Sequence, residues 1–420
     1  MFTEYISKNN LWHRKYLVYI SVFFILATVS LFGESGLYIN HSERAIDKYA
    51  MKPILDNLSI EEKAAQVLMV NIAGSREVTV HDIQYFKSTI PGAIILFGYN
   101  IAKTPQQVYS FLESCTKSFH NIAEKEHRHF VPPLYATDNE GGQVYRTRSI
   151  TIALPAPEYI GKHYSRNQAY QWYYALGRQM LQLGFHLNLA PVAEPKAADS
   201  VLKGRCYSSE HTIAAEYAST VVNAMQNAGL LAAVKHFPGS GNADLHKSSA
   251  ELQATYEQLK NYHCYAFSEC IKHDTAVMLV SHVTVPVIEN VPFCFSKKGI
   301  QWLRTELGFN GLILTDDIIM QALKQHGETP AANAIRALKA GCDMIMCTLQ
   351  NIYPIIESIA SSARNDSTLL DRLNNAVLNI LWVKYRIGLI DISGNYIEKH
   401  PDWEEFKMIN DKNHEKPFFP

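Results

Sequence analysis

The sequence predicts an α/β fold, a single (β/α)8 TIM-like barrel spanning residues 46–390. Three observations predict it. Apolar, strand-like runs alternate with helix-like runs along nearly the whole chain. Most of those runs end in a polar residue: Asn71, Asn100, Asp138, Glu194, His236, His282 and Asp316. The chain has 420 residues, 47% of them apolar, enough for a large core. In a barrel the polar strand ends converge on one face. In a doubly wound open sheet, the alternative, they would spread along a line.

The elements follow in order. Leu58-Ser59-Ile60-Glu61-Glu62 reads as a helix start, because Ser59 and Glu62 have capping-box spacing. The strand candidates are 67–72, 93–97, 134–137, 186–189, 232–236, 276–281, 312–315 and 344–347, each a short apolar run. Helical patterns lie between them at 105–123, 167–183, 212–228, 256–272, 296–306 and 330–340. A last one, 352–386, follows the eighth strand. Residues 391–420 are polar and too few for a second domain, so they read as a tail.

The N-terminus has its own pattern. A basic segment, 1–16, carries Lys8, Arg14 and Lys15. Residues 17–33 then run without a charge. That is long for a signal-peptide core and short for a spanning helix. It reads as an export signal or an uncleaved anchor, with the basic side cytoplasmic. The folded part is then expected in the periplasm or on the outer face of the inner membrane.

Charge excludes one class of partner. Lys plus Arg total 39 and Asp plus Glu total 40, so no basic surface for nucleic acid is signalled. The seven cysteines are odd in number and form no Cys-x-x-Cys, which signals neither a zinc site nor a complete disulfide framework. Cys342 and Cys347 flank an apolar run and read as buried free thiols.

The chemistry-bearing residues sit at strand ends. Asp316 and Asp317 end the seventh strand; successive strand residues point to opposite sides, so only one can face a common centre. The other suits a helix cap. Asp138-Asn-Glu140-Gly-Gly-Gln-Val-Tyr-Arg146 ends the third strand, with Asp138 suited to bind sugar hydroxyls and Glu140 with Arg146 suited to an ion pair. Lys235 and His236 end the fifth strand, and a buried lysine needs a partner. Asp244 and His246 follow in a loop forced by Pro238, Gly239 and Gly241. An Asp near a His orients the ring for acid–base work, though a surface contact fits these residues equally. Arg205 fits either a substrate clamp or a structural cation.

Taken together the motifs resemble glycoside hydrolase family 3, in particular its bacterial β-N-acetylhexosaminidase branch. The resemblance rests on Lys235-His236-Phe237-Pro238-Gly239 with Asp244-x-His246, on Thr315-Asp316-Asp317, and on the third-strand motif from Asp138 to Arg146. It also rests on the run from Asn188 to Glu194, Gly204-Arg205, Ser281-His282 and Ala340-Gly-Cys-Asp343. It implies retaining hydrolysis of terminal β-linked N-acetylglucosamine from glycans or peptidoglycan fragments. Asp316 would be the nucleophile and His246, partnered by Asp244, the acid and base. Asp138, Arg205, Lys235 and His236 would hold the sugar. No metal and no organic cofactor is implied, and the enzyme is expected to be a monomer acting on a carbohydrate.

The loop departs from the family's usual pattern. Ser240 stands where a second His is usual, and only Asn242-Ala243 separate Gly241 from Asp244 where four residues are usual. Leu245 also replaces a Ser. Three other readings stay open at this level: a β-glucosidase-like hydrolase, an N-acetylglucosaminide phosphorylase and an inactive wall-binding barrel.

Overall fold

The computed structural model describes residues 48–77, 79, 89–197, 201–241, 248–324, 329–349 and 351–414. Residues 17–33, Asp244 and His246 lie outside them. Among the described residues no helix is long and apolar enough to cross a bilayer.

The expected barrel is present. Its strands are β1 (Leu68–Asn71), β2 (Ala93–Leu96), β3 (Leu134–Thr137), β4 (Leu187–Asn188), β5 (Leu231–Phe237), β6 (Val277–Val280), β7 (Leu312–Thr315) and β8 (Ile345–Met346). They form one 8-stranded sheet ordered β7-β6-β5-β4-β3-β2-β1-β8, every pairing parallel. A parallel bridge from Leu314 to Met344 closes the ring, supported by Thr315 N–H donating to Met344 O at 3.0 Å. Near-continuous burial along these strands explains their apolar runs: both faces are covered.

Local chemistry sets the helix starts. Ser59 and Glu62 form the expected capping box. Thr104, Thr329 and Ser296 cap the helices Pro105–Lys125, Pro330–Ala340 and Lys297–Thr305 through their hydroxyls. The run expected at 352–386 is two helices, Tyr353–Asn365 and Ser367–Arg386, divided at Asp366. Asp366 caps the second by accepting from Leu369 N–H. The run expected at 256–272 is interrupted by a π-helical turn, Leu259–His263, before the helix Tyr265–Lys272.

Several described elements escape the periodicity, among them the helices Lys52–Asn57 and Pro157–His163. A hairpin, Asn139–Gly141 with Val144–Tyr145, follows β3, and another, Thr284–Val285 with Glu289–Pro292, follows β6. The polar tail forms a helix, Trp403–His414, against the helix Arg166–Gln182. Arg178 donates to both oxygens of Glu405 at 2.7 and 2.9 Å, and Gln179 donates to Asn410 at 2.8 Å.

Candidate active site

The C-terminal ends of the strands carry the chemistry-bearing residues. After β3 the chain turns at once into the first hairpin. Gly142 has φ +57°, and a Cβ there would lie 2.8 Å from Ala156 Cα, so only glycine fits. The hairpin aims Asp138 and Glu140 toward the end of β5. Lys235 Nζ donates to Asp138 Oδ1 at 2.8 Å and lies 2.6 Å from Glu140 Oε1.

Glu140 is the hub. Arg205 donates to it through Nε at 2.7 Å and Nη2 at 2.8 Å, a two-pronged pair. Burial by itself would oppose ionisation of Glu140, but Lys235 and Arg205 outweigh it and bring its pKa down to about 2. Burial likewise works against the Lys235 ammonium, and Asp138 and Glu140 reverse that and raise its pKa. The expected Glu140–Arg146 pair does not form. Arg146 lies instead 4.0 Å from Asp138 Oδ2, because Glu140 is committed to the two deeper cations.

His236 is fixed by a carboxylate that the motifs marked only as polar. Glu194 Oε1 accepts from the His236 backbone N–H at 3.1 Å and lies 2.7 Å from Nδ1. A carboxylate only accepts, so in the neutral ring Nδ1 carries the proton and Nε2 is the acceptor. Nε2 faces Arg205 Nη2 at 3.4 Å. Ser240 also donates to Glu194, through its backbone N–H at 2.6 Å and its hydroxyl at 2.9 Å. Burial disfavours the Glu194 carboxylate, but these contacts, His236 foremost, hold its pKa below the ordinary value. Glu194 thus ties down both ends of His236–Ser240. Gly241, at φ +71°, leads into the stretch with Asp244 and His246, outside the described residues.

The two carboxylates after β7 are in different situations. Asp317 Oδ1 accepts from Thr348 N–H at 3.2 Å and Ile319 N–H at 3.3 Å, and Oδ2 accepts from the Thr348 hydroxyl. His282 Nε2–H donates to the Asp317 carbonyl at 2.9 Å. Burial pushes the Asp317 pKa up, against those hydrogen bonds. Asp317 is therefore the structural member, joining β7 to the turn after β8. Asp316 is half-buried, with Oδ1 accepting from Asp317 N–H at 2.8 Å.

Of the residues marked in the sequence, Asp138 contacts Lys235 and Arg205 contacts His236, Glu140 links the two pairs, and Asp316 sits on the same rim at the end of β7. Glu140 and Glu194 were visible as polar strand-end residues, but their roles needed the positions of three separate strands.

Comparisons with known proteins agree with this architecture. The Glycosyl hydrolase family 3 N terminal domain matches residues 59–383. A Beta-hexosaminidase of Nitrosomonas eutropha is 32% identical over 289 residues, covering 66% of this chain and 79% of that protein. One from Idiomarina loihiensis is 32% identical over 286 residues, covering 66% and 82%. Among solved structures, a family 3 beta-N-acetylglucosaminidase from Paenibacillus superposes with a TM-score of 0.73 at 23% identity, over 84% of this chain and 68% of that one. A Beta-N-acetylhexosaminidase from Beutenbergia cavernae gives 0.69 at 24%, over 77% and 98%. At those identities the structural likeness speaks for the fold; the sequence matches carry the kinship. This chain belongs to glycosyl hydrolase family 3, represented by its N-terminal domain.

Proposed function

We propose that the protein is a retaining β-N-acetylhexosaminidase that releases terminal N-acetylglucosamine from glycans or peptidoglycan fragments. The observation that carries this reading is the paired cluster of the buried Glu140 and Lys235 with the half-buried Asp138 and Arg205 on the rim that also bears Asp316. Its cations and carboxylates compensate each other. Such a cluster offers donors and acceptors to a neutral polyhydroxylated ring without demanding a charged ligand. The names of the relatives supply the N-acetylhexosamine.

The proposed chemistry has two steps. A carboxylate oxygen of Asp316 attacks the anomeric carbon as the glycosidic C–O bond breaks, and His246 gives its proton to the departing oxygen. Asp244 stabilises the charged imidazole. His246 then takes a proton from water, the hydroxide oxygen bonds to the anomeric carbon, and Asp316 leaves as a carboxylate. Asp138, Arg205, Lys235 and His236 hold the sugar throughout. Glu194 keeps His236 and the base of the acid–base loop in place. Export or anchoring through residues 17–33 would put this activity next to cell-wall fragments.

The test is hydrolysis of a chromogenic β-N-acetylglucosaminide. Asp316→Asn is expected to lose roughly a thousandfold or more in kcat. A 5-fluoro N-acetylglucosamine analogue should label Asp316, located by peptide mass spectrometry. Full turnover in Asp316→Asn, or a label elsewhere, would remove the nucleophile assignment. Turnover that needs inorganic phosphate and yields a sugar phosphate would replace hydrolysis by phosphorolysis.

A further inference from the structure

His282 and Cys294 are buried behind the segment that bears Asp316, and neither belongs to the sugar-holding cluster. They stand on either side of the second hairpin. β6 ends at Val280, and Ser281 and His282 follow it. The hairpin carries the chain out over Thr284–Val285 and back over Glu289–Pro292. Phe293 N–H then donates to Val283 O at 2.8 Å, which closes the base of the hairpin and returns Cys294 to the side of His282. Cys342, ahead of β8, donates its thiol to the Cys294 carbonyl at 3.5 Å and steadies that turn.

The two contacts of the ring fix its hydrogen. Nε2 lies 2.9 Å from Asp317 O, and Nδ1 lies 3.2 Å from Cys294 Sγ. A carbonyl oxygen only accepts, so Nε2 carries the proton and, in the neutral ring, Nδ1 accepts. Cys294 therefore donates its S–H. Burial pushes the Cys294 thiol up, so it keeps that proton. The thiol thus selects the tautomer that the Asp317 carbonyl requires.

Asp317 is held from both strands that flank β7. His282, after β6, takes its carbonyl, and Thr348, after β8, takes its carboxylate through backbone N–H and hydroxyl. Its own N–H then donates to Asp316 Oδ1 at 2.8 Å. If the grip on the carbonyl were lost, the residue could turn about its side-chain anchor and carry the N–H away from Asp316. We infer that His282 and Cys294 are positioning residues for the nucleophile. Cys294 sets the ring, the ring holds the Asp317 carbonyl, and the Asp317 N–H orients the Asp316 carboxylate. The inference rests on the proposed glycosidase reading, in which Asp316 attacks the anomeric carbon.

The test follows the rate at which the 5-fluoro N-acetylglucosamine analogue labels the protein, beside kcat/KM for N-acetyl-β-glucosaminyl fluoride and a chromogenic β-N-acetylglucosaminide. His282→Leu removes the donor to Asp317. It is expected to slow labelling and lower kcat/KM roughly ten- to a hundredfold, while inhibition by N-acetylglucosamine, which reports the sugar pocket, changes by less than about twofold. His282→Gln, whose amide N–H can reach the same carbonyl, should recover much of that loss. Cys294→Ala is expected to lose roughly three- to tenfold, and Cys294→Ser, which still donates, should recover it. The losses should be equal for the two substrates, because the nucleophile is displaced and the acid is not. Unchanged labelling in His282→Leu and Cys294→Ala would overturn the positioning role. So would losses that the Gln and Ser variants share in full, or N-acetylglucosamine inhibition that weakens in step with turnover. Should His282→Leu fail to fold, the two Cys294 variants decide the matter. If the unaltered protein is neither labelled nor active, the glycosidase reading fails and takes the positioning role with it. If it is active and the variants match it, that reading stands and only the positioning role falls.

Discussion

Lys235 is 3% exposed, yet its ammonium has carboxylate oxygens at 2.8 and 2.6 Å. A buried cation is tolerable only when so paired, and removing one partner costs more than the pair contributes. Glu140→Gln leaves the buried Lys235 and the half-buried Arg205 with one carboxylate fewer. It is expected to destabilise the protein by about 3 kcal/mol, read from the urea midpoint. Glu140, held at about 2 against an ordinary 4.5, also predicts a pH effect. A depressed acid contributes fully above pH 4.5 and loses that contribution as pH falls toward 2. His186 acts in a higher window. Its Nδ1 accepts from Tyr135 N–H at 3.0 Å, and burial, aided by Lys399 and Lys384, lowers its pKa from 6.5 to about 3. The unfolded chain therefore binds a proton below pH 6.5 that the folded chain refuses until about 3, and stability falls between those limits. His186→Asn should flatten that decline between pH 6.5 and 4.5, above the range of Glu140, in denaturation curves taken at stepped pH. An unchanged slope there would show that His186 titrates normally.

At the scale of elements, single side chains hold neighbours in register. Asp343, just before β8, accepts from Arg304 at 2.7 Å, Arg372 at 2.6 Å, Asn379 at 2.9 Å and Ile313 N–H at 2.9 Å. It thereby joins β7 to the helices Lys297–Thr305 and Ser367–Arg386. Asp343→Ala is expected to cost about 3–5 kcal/mol while leaving the KM of the folded fraction unchanged, because it precedes β8 and the site follows it. A changed KM with intact stability would contradict this. The helix Trp403–His414 is the second case. Phe406 is buried and Glu405 receives Arg178 and Gln182. Deleting residues 401–420 should lower the thermal midpoint by several degrees, seen by calorimetry, with kcat unchanged. That helix was not legible in the sequence: its residues are mostly polar, and only docking defines which face is inner. The break at Asp366 was legible in principle, since Asn365-Asp366-Ser367 offers a helix cap within an apolar pattern. The two hairpins were not, because strands of two to four residues show no usable period.

For the whole molecule, barrel closure brings together residues far apart in sequence. All seven cysteines are buried and free, so the fold depends on no disulfide. Reductant is expected to leave the thermal midpoint unchanged, and a thiol reagent to react fully only after unfolding; rapid labelling of the native protein would contradict the burial. The order of the eight barrel strands, the polar strand ends and the site motifs were legible in the sequence, because alternating apolar runs and glycine-rich loops are local signals. The pairing within the site was not. Glu140 could have met Arg146, six residues away, and instead meets Lys235 and Arg205 from other strands and loops. Glu194 gave no local sign that it would receive both His236 and Ser240. The same holds for the two adjacent aspartates, of which Thr348 claims Asp317. Periodicity and motif order are written along one chain, and they are enough to specify the barrel, its family and the residues offered to the rim. Which carboxylate compensates which cation is settled in three dimensions, because a buried charge takes the partner that closure brings within hydrogen-bond reach, whatever its place in the chain.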